Sequence, residues 1–382
     1  MTAAAAMGER FGRALDRART YDRPLLVMAA ILFGLGILLS MATSPGQTAR
    51  IRIDEAFYFA ARQAAYAAIG VVVMLGAAAL DPRRVRRASV ILAAIMLPLC
   101  AVAAWIGPEV KGAQRWFDFG FASLQPSEIL KPALVVVWAW MLGESMKRQG
   151  FPGRWVALGL YALAAAALLS QPDIGQTTLL GLVLGAMLIL SGMALRWVLG
   201  GAVLAGFSAW AIYSFYPHAR DRIDAFLNPE GEAHYQVGRA LDAIAAGGVF
   251  GRGPGEGVIK RSLPDAHADF VYAVAAEEFG LLASIGLIVL FGAFAFRGLS
   301  RASRLNEPFE QIAAAGLVAL LVTQAAIHIA VNLSLVPAKG MTLPFISFGG
   351  SSMVGSALAL GFLLSLLRDR PGAYLYAGRV HT

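Results

Sequence analysis

Ten apolar runs follow one another through this chain with little between them, at residues 25–43, 56–80, 88–106, 127–143, 155–170, 176–192, 195–216, 269–296, 309–333 and 351–367. A hydrocarbon layer about 30 Å thick needs roughly 20 apolar residues per crossing helix, so the runs have the length a bilayer demands. Inside that layer every backbone N–H and C=O must be bonded within the protein, which leaves helices or a closed barrel. The runs are too long and too evenly apolar for a barrel's alternating strands. The expected fold is all-α: a polytopic integral membrane protein of about ten transmembrane helices, forming one domain over residues 25–370. With 58% hydrophobic and only 15% charged residues among 382, a soluble globular fold is excluded. The first run, Leu25 to Met41, exceeds the roughly 7 to 15 residues of a signal-peptide core and reads as a retained span. Cys100, the only cysteine, lies inside a run, so helix packing rather than a disulfide must hold the fold.

The net charge of +8 does not point to nucleic acid, because most arginines sit in short turns between runs, where they set orientation. With the amino terminus inside the cell, the inner segments carry roughly 19 Lys and Arg against roughly 11 outside, the bias expected of cytoplasmic loops. Segments 1–24 and 371–382 are then cytoplasmic tails, and 217–268 is a large external loop. That orientation places every unusual polar segment on the outer face: Lys111–Gln125, Gln171–Gln176, the long loop, and Val336–Ser352. Four separated loops drawn to one face suggest an active site or a gate.

Leu263-Pro264-Asp265-Ala266-His267-Ala268-Asp269-Phe270 enters the eighth run, with Glu277 and Glu278 about two turns further in. A charge near the bilayer centre costs about 2.5–3.5 kcal/mol on insertion scales, so Glu277 and Glu278 need water or a partner, while Asp269 near the interface costs less. Asp269 reads either as a reactive carboxylate or as a helix cap or interfacial anchor. Gln125-Pro126-Ser127-Glu128-Ile129-Leu130-Lys131-Pro132 opens the fourth run with a carboxylate and an ammonium on one helix face. They form an ion pair that eases insertion, shape a polar cavity, or do both. In Gln171-Pro172-Asp173-Ile174-Gly175-Gln176, Pro172 and Gly175 break the helices and leave Asp173 exposed in a turn.

The segment Pro337–Ser352 is too apolar for a free loop and too rich in Pro and Gly for a helix. It reads as backbone re-entering the membrane edge to line a polar cavity, with Lys339, Ser347, Gly349 and Gly350 as candidate lining residues together with His267. Gly247–Gly257 fits neither a phosphate-binding nor a dinucleotide spacing. Its glycines read as close approach of backbone to a membrane-borne ligand, or as a flexible loop, with Arg252, Lys260 and Arg261 available to an anionic headgroup. His218, His234 and His267 lack metal-ligand spacing.

In their order and placement these segments resemble the SEDS family of shape, elongation, division and sporulation proteins, from Tyr21 to Arg370. Asp265-Ala266-His267 before Ala268-Asp269-Phe270, and Lys339-Gly340 before Thr342-Leu343-Pro344, resemble its division branch more than its elongation branch. Ala268 stands where many members carry Thr, and Phe348 where Tyr is usual. The resemblance implies a peptidoglycan glycosyltransferase that polymerises lipid II, the undecaprenyl-pyrophosphate-linked disaccharide peptide, on the periplasmic face of the inner membrane at the septum. It implies a class B penicillin-binding protein as crosslinking partner, and other division proteins beside it. Asp269 matches the family's essential aspartate, and Glu128, Lys131 and Asp173 match polar positions of its central cavity. Asp269 would then act as general base toward a sugar hydroxyl. The departing pyrophosphate would be met by Arg252, Lys260, Arg261 or Lys339, or by a divalent cation such as magnesium or manganese, and no other cofactor is expected. A lipid II flippase, an elongation-type polymerase and a purely recruiting membrane scaffold are the rival expectations.

Overall fold

A computed structural model describes residues 20–51, 53–110, 112–120, 122–215, 220, 224, 232–337 and 340–369. Most of the two tails, part of the 217–268 loop, and Lys339 lie outside the described residues. Each of the ten apolar runs falls on a helix, with ends that differ by at most eight residues: α1 (Arg23–Ile51), α2 (Tyr58–Ala78), α3 (Pro82–Ile106), α4 (Pro126–Lys147), α5 (Gly153–Leu169), α6 (Ile174–Leu190), α7 (Leu195–Phe215), α9 (Val271–Ala302), α10 (Pro308–Asn332) and α11 (Gly350–Leu367). Among the described residues, seven helices are long and apolar enough to cross a bilayer, and α5 and α6 are shorter apolar helices of 17 residues each. Proline at the first turn starts α3, α4 and α10, where the missing N–H is no loss, and the Asp81 carboxylate caps α3 by accepting from Arg84 N at 2.8 Å. Between α3 and α4 stand two minimal antiparallel hairpins, pairing Glu109 with Gln114 and Phe117 with Leu124.

Helices α4, α10 and α11 form the centre of the bundle, and α2, α3, α6 and α9 pack around them. Trp138, Leu134 and Leu142 of α4 and Leu360 and Leu363 of α11 are fully buried. Outward, Val72, Trp105, Val203, Phe207 and Phe296 are exposed, as a lipid-facing surface requires. Lipid is as apolar as leucine, so helix association must come from close packing and polar contacts rather than water exclusion. A polar knot does this at one end of the bundle. The buried Asp22 carboxylate accepts from Arg297 at 2.8 Å and pairs with Arg301 at 3.3 Å, while Arg301 also donates to Asp369 at 2.7 Å. Asp369 N donates to Thr20 O, so the first and last described residues meet on this face.

The long loop contains a helix that a search for membrane spans misses: α8, Glu232–Gly247. Its Val237, Ala240 and Ala243, at helical spacing, are buried and belong to a small core with Leu263, Phe270 and Val274. Beyond α8 the chain folds onto a break in α9, where Gly280 adopts φ 78°. The break frees backbone groups at membrane depth, and the loop rebonds them. Arg252 N and Gly253 N donate to the carbonyls of Glu277 and Glu278, and Leu281 N and Leu282 N donate to Gly248 O and Val249 O. A Cβ at Gly247 would lie 1.9 Å from Ala276 O, and one at Gly251 2.1 Å from Glu278 O. The expectation that these glycines serve approach to a ligand is therefore corrected, since what they admit is the backbone of α9. Gly247→Ala is expected to destabilise the purified protein by about 1–3 kcal/mol or more in a melting experiment, the usual cost of overpacking. Gly238→Ala, with nothing within 4 Å of the new methyl, is expected to be neutral or stabilising.

Candidate active site on one face of the bundle

The four polar segments meet at the end of the bundle opposite the Asp22 knot. Gln125 N donates to Ser351 Oγ at 2.9 Å, and Ser351 Oγ donates to Ser123 O at 3.0 Å, joining the start of α4 to the start of α11. Arg115, from between the hairpins, donates to Gln171 O and Pro172 O at 3.2 and 2.8 Å and faces Asp173 at 3.7 Å. Phe348 N donates to His267 O, and Ser347 Oγ donates to Ala268 O at 2.6 Å.

Asp269 is half-buried, one residue before the cap of α9. It is not that cap: Phe270 occupies the position, without a side-chain bond. The turn that presents Asp269 begins at Asp265, whose φ of 52° lies in the left-handed region, and Asp269 N donates to Asp265 O at 2.9 Å. On one side stands Gly340, where a Cβ would be 3.8 Å from Asp269 Oδ2. The His267 ring lies 4.4 Å from Phe59 and 5.1 Å from Phe348, centroid to centroid, in an aromatic wall that Tyr66 extends.

The segment leading into α11 runs without helix from Gly340 to Gly349 and is buried from Leu343 to Ser347. Its carbonyls find partners on neighbouring helices, which is the condition for irregular backbone at such depth. Gln63 Nε2 donates to Ile346 O and Ser347 O, Gln324 Nε2 donates to Thr342 O, and His328 Nδ1 lies 2.7 Å from Met341 O. Gly350 comes up against the Tyr66 ring, and Gly349 caps α11. Ser347 is buried and bonded on both sides, accepting from Leu343 N at 2.8 Å, so it braces the cavity wall.

Glu128 and Lys131 are 3% and 2% exposed and pair at 2.9 Å. Both belong to a longer polar chain. Gln176 Nε2 donates to Glu128 at 2.9 Å, Lys131 Nζ donates to Gln324 Oε1 at 2.9 Å, and Gln324 passes the contact to Thr342, which bonds Ser352. The stretch Gly340–Thr342 thus lies beside Asp269 at one end and is joined to the Glu128–Lys131 pair, through Gln324, at the other. Asp173, expected to be exposed, is only 2% exposed, because Arg115 and the start of α6 close over it. Burial pushes its carboxyl up, against the downward pull of Arg115; Lys131 lowers it further and Glu128 raises it, so the four groups share one field.

The cations expected at an anionic headgroup separate. Arg252 and Arg261 are exposed. Lys260 is 4% exposed and its ammonium bonds Glu278 and Ala42 O, so it is withdrawn from any external headgroup, a correction to the expectation above. Glu277 and Glu278 have the partners their depth demands: Glu277 accepts from Val258 N, Ile259 N and Lys260 N at 2.7–2.9 Å, and Glu278 accepts from Lys260 and from Gly255 N. The 3₁₀ turn Ile259–Arg261 folds around the Glu277 carboxylate. Gln176, Gln324 and Arg115 are site residues the sequence reading did not single out. For the two glutamines the available signal was an uncharged amide within an apolar run, which is costly unless bonded.

The chain is 49% identical over 361 residues to the "Probable peptidoglycan glycosyltransferase FtsW" of Caulobacter vibrioides, covering 94% of this chain and 92% of that protein. It is 34% identical over 368 residues to the protein of the same description from Geobacter metallireducens, covering 94% and 98%. Among solved structures it is similar to a chain of a peptidoglycan synthase complex described as coordinating polymerization and crosslinking, with TM-score 0.75 at 25% identity over 92% of this chain and 98% of that one. It is also similar to the rod shape determining protein RodA of Thermus thermophilus, with TM-score 0.68 at 25% identity over 92% and 97%. The family model described as cell cycle protein, spanning FtsW, RodA and SpoVE, matches residues 23–371, so this chain belongs to that family, the one its motifs resemble.

Proposed function

We propose that this chain is a peptidoglycan glycosyltransferase of the division type, extending glycan strands from lipid II at the outer face of the cytoplasmic membrane. The observation that carries the reading is the convergence of the Asp269 turn, the Gly340–Gly349 segment and the Glu128–Lys131 chain into one polar site at one end of a largely apolar bundle. Adding a disaccharide requires a sugar hydroxyl to attack an anomeric carbon while lipid pyrophosphate departs. Asp269 accepts the proton as the new bond forms; with a reference pKa of about 3.9, an aspartate serves as base in the transition state and not before it. Polyprenyl tails remain in the bilayer while headgroups meet at the rim, which supplies proximity without enclosing a soluble substrate.

Of the four cations expected to meet the pyrophosphate, Arg252 and Arg261 are exposed among the described residues and take that role in this reading. Among the described residues no group of three or more carboxylate, histidine or cysteine side chains gathers to hold a metal. Among the described residues nothing therefore builds a resident metal centre, and a divalent cation such as magnesium or manganese would, in this reading, come with the pyrophosphate as its counterion. A class B penicillin-binding protein as crosslinking partner, other division proteins nearby and placement at the septum belong to the same proposal. Support for the partner comes from the likeness to a chain of a complex that couples polymerization to crosslinking.

A flippase needs a polar route through the bundle. Past Lys131, α4 continues with buried Leu134, Val135, Trp138 and Leu142, packed against α10, which offers no such route along this helix. The deciding experiment gives fluorescent lipid II to the purified chain in vesicles, alone and with its transpeptidase. Polymer on gels is the expected product; headgroup transfer between leaflets without polymer would favour the transporter.

A further inference from the structure

Helix α9 starts without a cap of its own, since Phe270 provides no side-chain bond at its first turn. The first four N–H groups of any helix lack partners within it. One of them, Ala273 N, donates at 3.0 Å to Asn332 Oδ1, from the last residue of α10. The amide of the same side chain donates through Nδ2 to Asp269 O at 3.1 Å and to His328 O at 2.9 Å. Asn332 is fully buried. A single side chain from a distant helix therefore bonds the Asp269 carbonyl and the first turn of α9 at once. Ser347 Oγ holds the preceding carbonyl, of Ala268, and Asp265 O takes the Asp269 N–H, so Asp269 is bracketed by backbone bonds on both sides.

We propose that Asn332 is the positioning residue for Asp269: through its bond to the Asp269 carbonyl it sets where the carboxylate stands relative to the Gly340–Thr342 wall. The inference rests on Asp269 being the base. Its physical basis is that a carboxylate displaced by about 1 Å from its acceptor loses on the order of a hundredfold in rate. His328, held by Met341 O, ties Asn332 to the same wall, so α10 fixes both sides of the site.

Asn332→Asp keeps an acceptor for Ala273 N and replaces the donor facing Asp269 O with a second oxygen. In the complex with its transpeptidase, assayed on fluorescent lipid II, it is expected to lower kcat by about tenfold to a hundredfold with KM changed by less than about twofold, the sign of an interaction needed only in the transition state. The deficit should shrink as pH falls, because the protonated acid regains an O–H donor. Asn332→Ser, uncharged and too short for the Asp269 carbonyl, should show the same kcat loss without the pH dependence, and it serves if the aspartate variant does not fold. Normal kcat in a folded variant, or a loss that tracks melting temperature and raises KM equally, overturns the proposal. Asp269→Asn assayed in parallel separates the two readings: if it is inactive while the Asn332 variants are normal, only the positioning role fails. If it polymerises normally, the base assignment fails and the positioning role falls with it.

Discussion

Asp269→Asn is expected to abolish glycan polymerisation while leaving expression, melting temperature and binding to the transpeptidase unchanged. The substitution is nearly isosteric, and the backbone bonds that hold residue 269, to Asp265 O, Ser347 through Ala268, and Asn332, do not involve its side chain. What is lost is the proton acceptor. General-base contributions of about 10²–10⁴-fold set the expected fall in polymer formation. A gel assay of fluorescent lipid II with the purified complex reads it directly, and wild-type strand synthesis by the variant would remove Asp269 from the chemistry.

Lys260→Met is expected to give the largest loss of stability. Among the described residues it leaves the Glu278 carboxylate, 1% exposed, with the Gly255 N–H at 3.2 Å as its remaining donor. Removing one partner of a buried pair costs about 3–5 kcal/mol, because the remaining charge stays desolvated. Replacing both, as Lys260→Met with Glu278→Leu, should recover most of that loss, since apolar residues of similar volume often match a buried pair. Thermal unfolding of the detergent-solubilised single and double variants makes the comparison. Equal melting of Lys260→Met and wild type would mean that the loop is not seated on α9 as described. Because residues 247–261 rebond the break at Gly280, loss of this seat should also release the half of α9 that begins beside Asp269.

Several sequence expectations failed for one reason: a residue type states a requirement without naming what meets it. Gly247 and Gly251 required the absence of a side chain, and only the packed structure identifies the α9 carbonyls as the obstacle. Lys260 looked like a free cation in an external loop, yet Glu278, 18 residues on, takes its charge. Asp173 had the local chemistry of an exposed turn and is covered by Arg115, a neighbour from another part of the chain. Glu277 and Glu278 were legible as needing partners, although not which ones. Helix α8 was legible too, through Val237, Ala240 and Ala243 at helical spacing, but its length and polarity hide it from a search for spans.

The sequence alone determined that the chain crosses a bilayer, where its long apolar helices lie, and that its unusual polar segments share one face. These follow from transfer of each segment from water to hydrocarbon, a local property that sums over neighbouring residues. Only the tertiary structure decided which buried groups satisfy one another: Lys131 with Gln324, Asn332 with Asp269, Lys260 with Glu278. Those pairings depend on how helices far apart in sequence come to rest together, and a hydrogen bond with a reach of about 3 Å is decided by packing that no local pattern encodes.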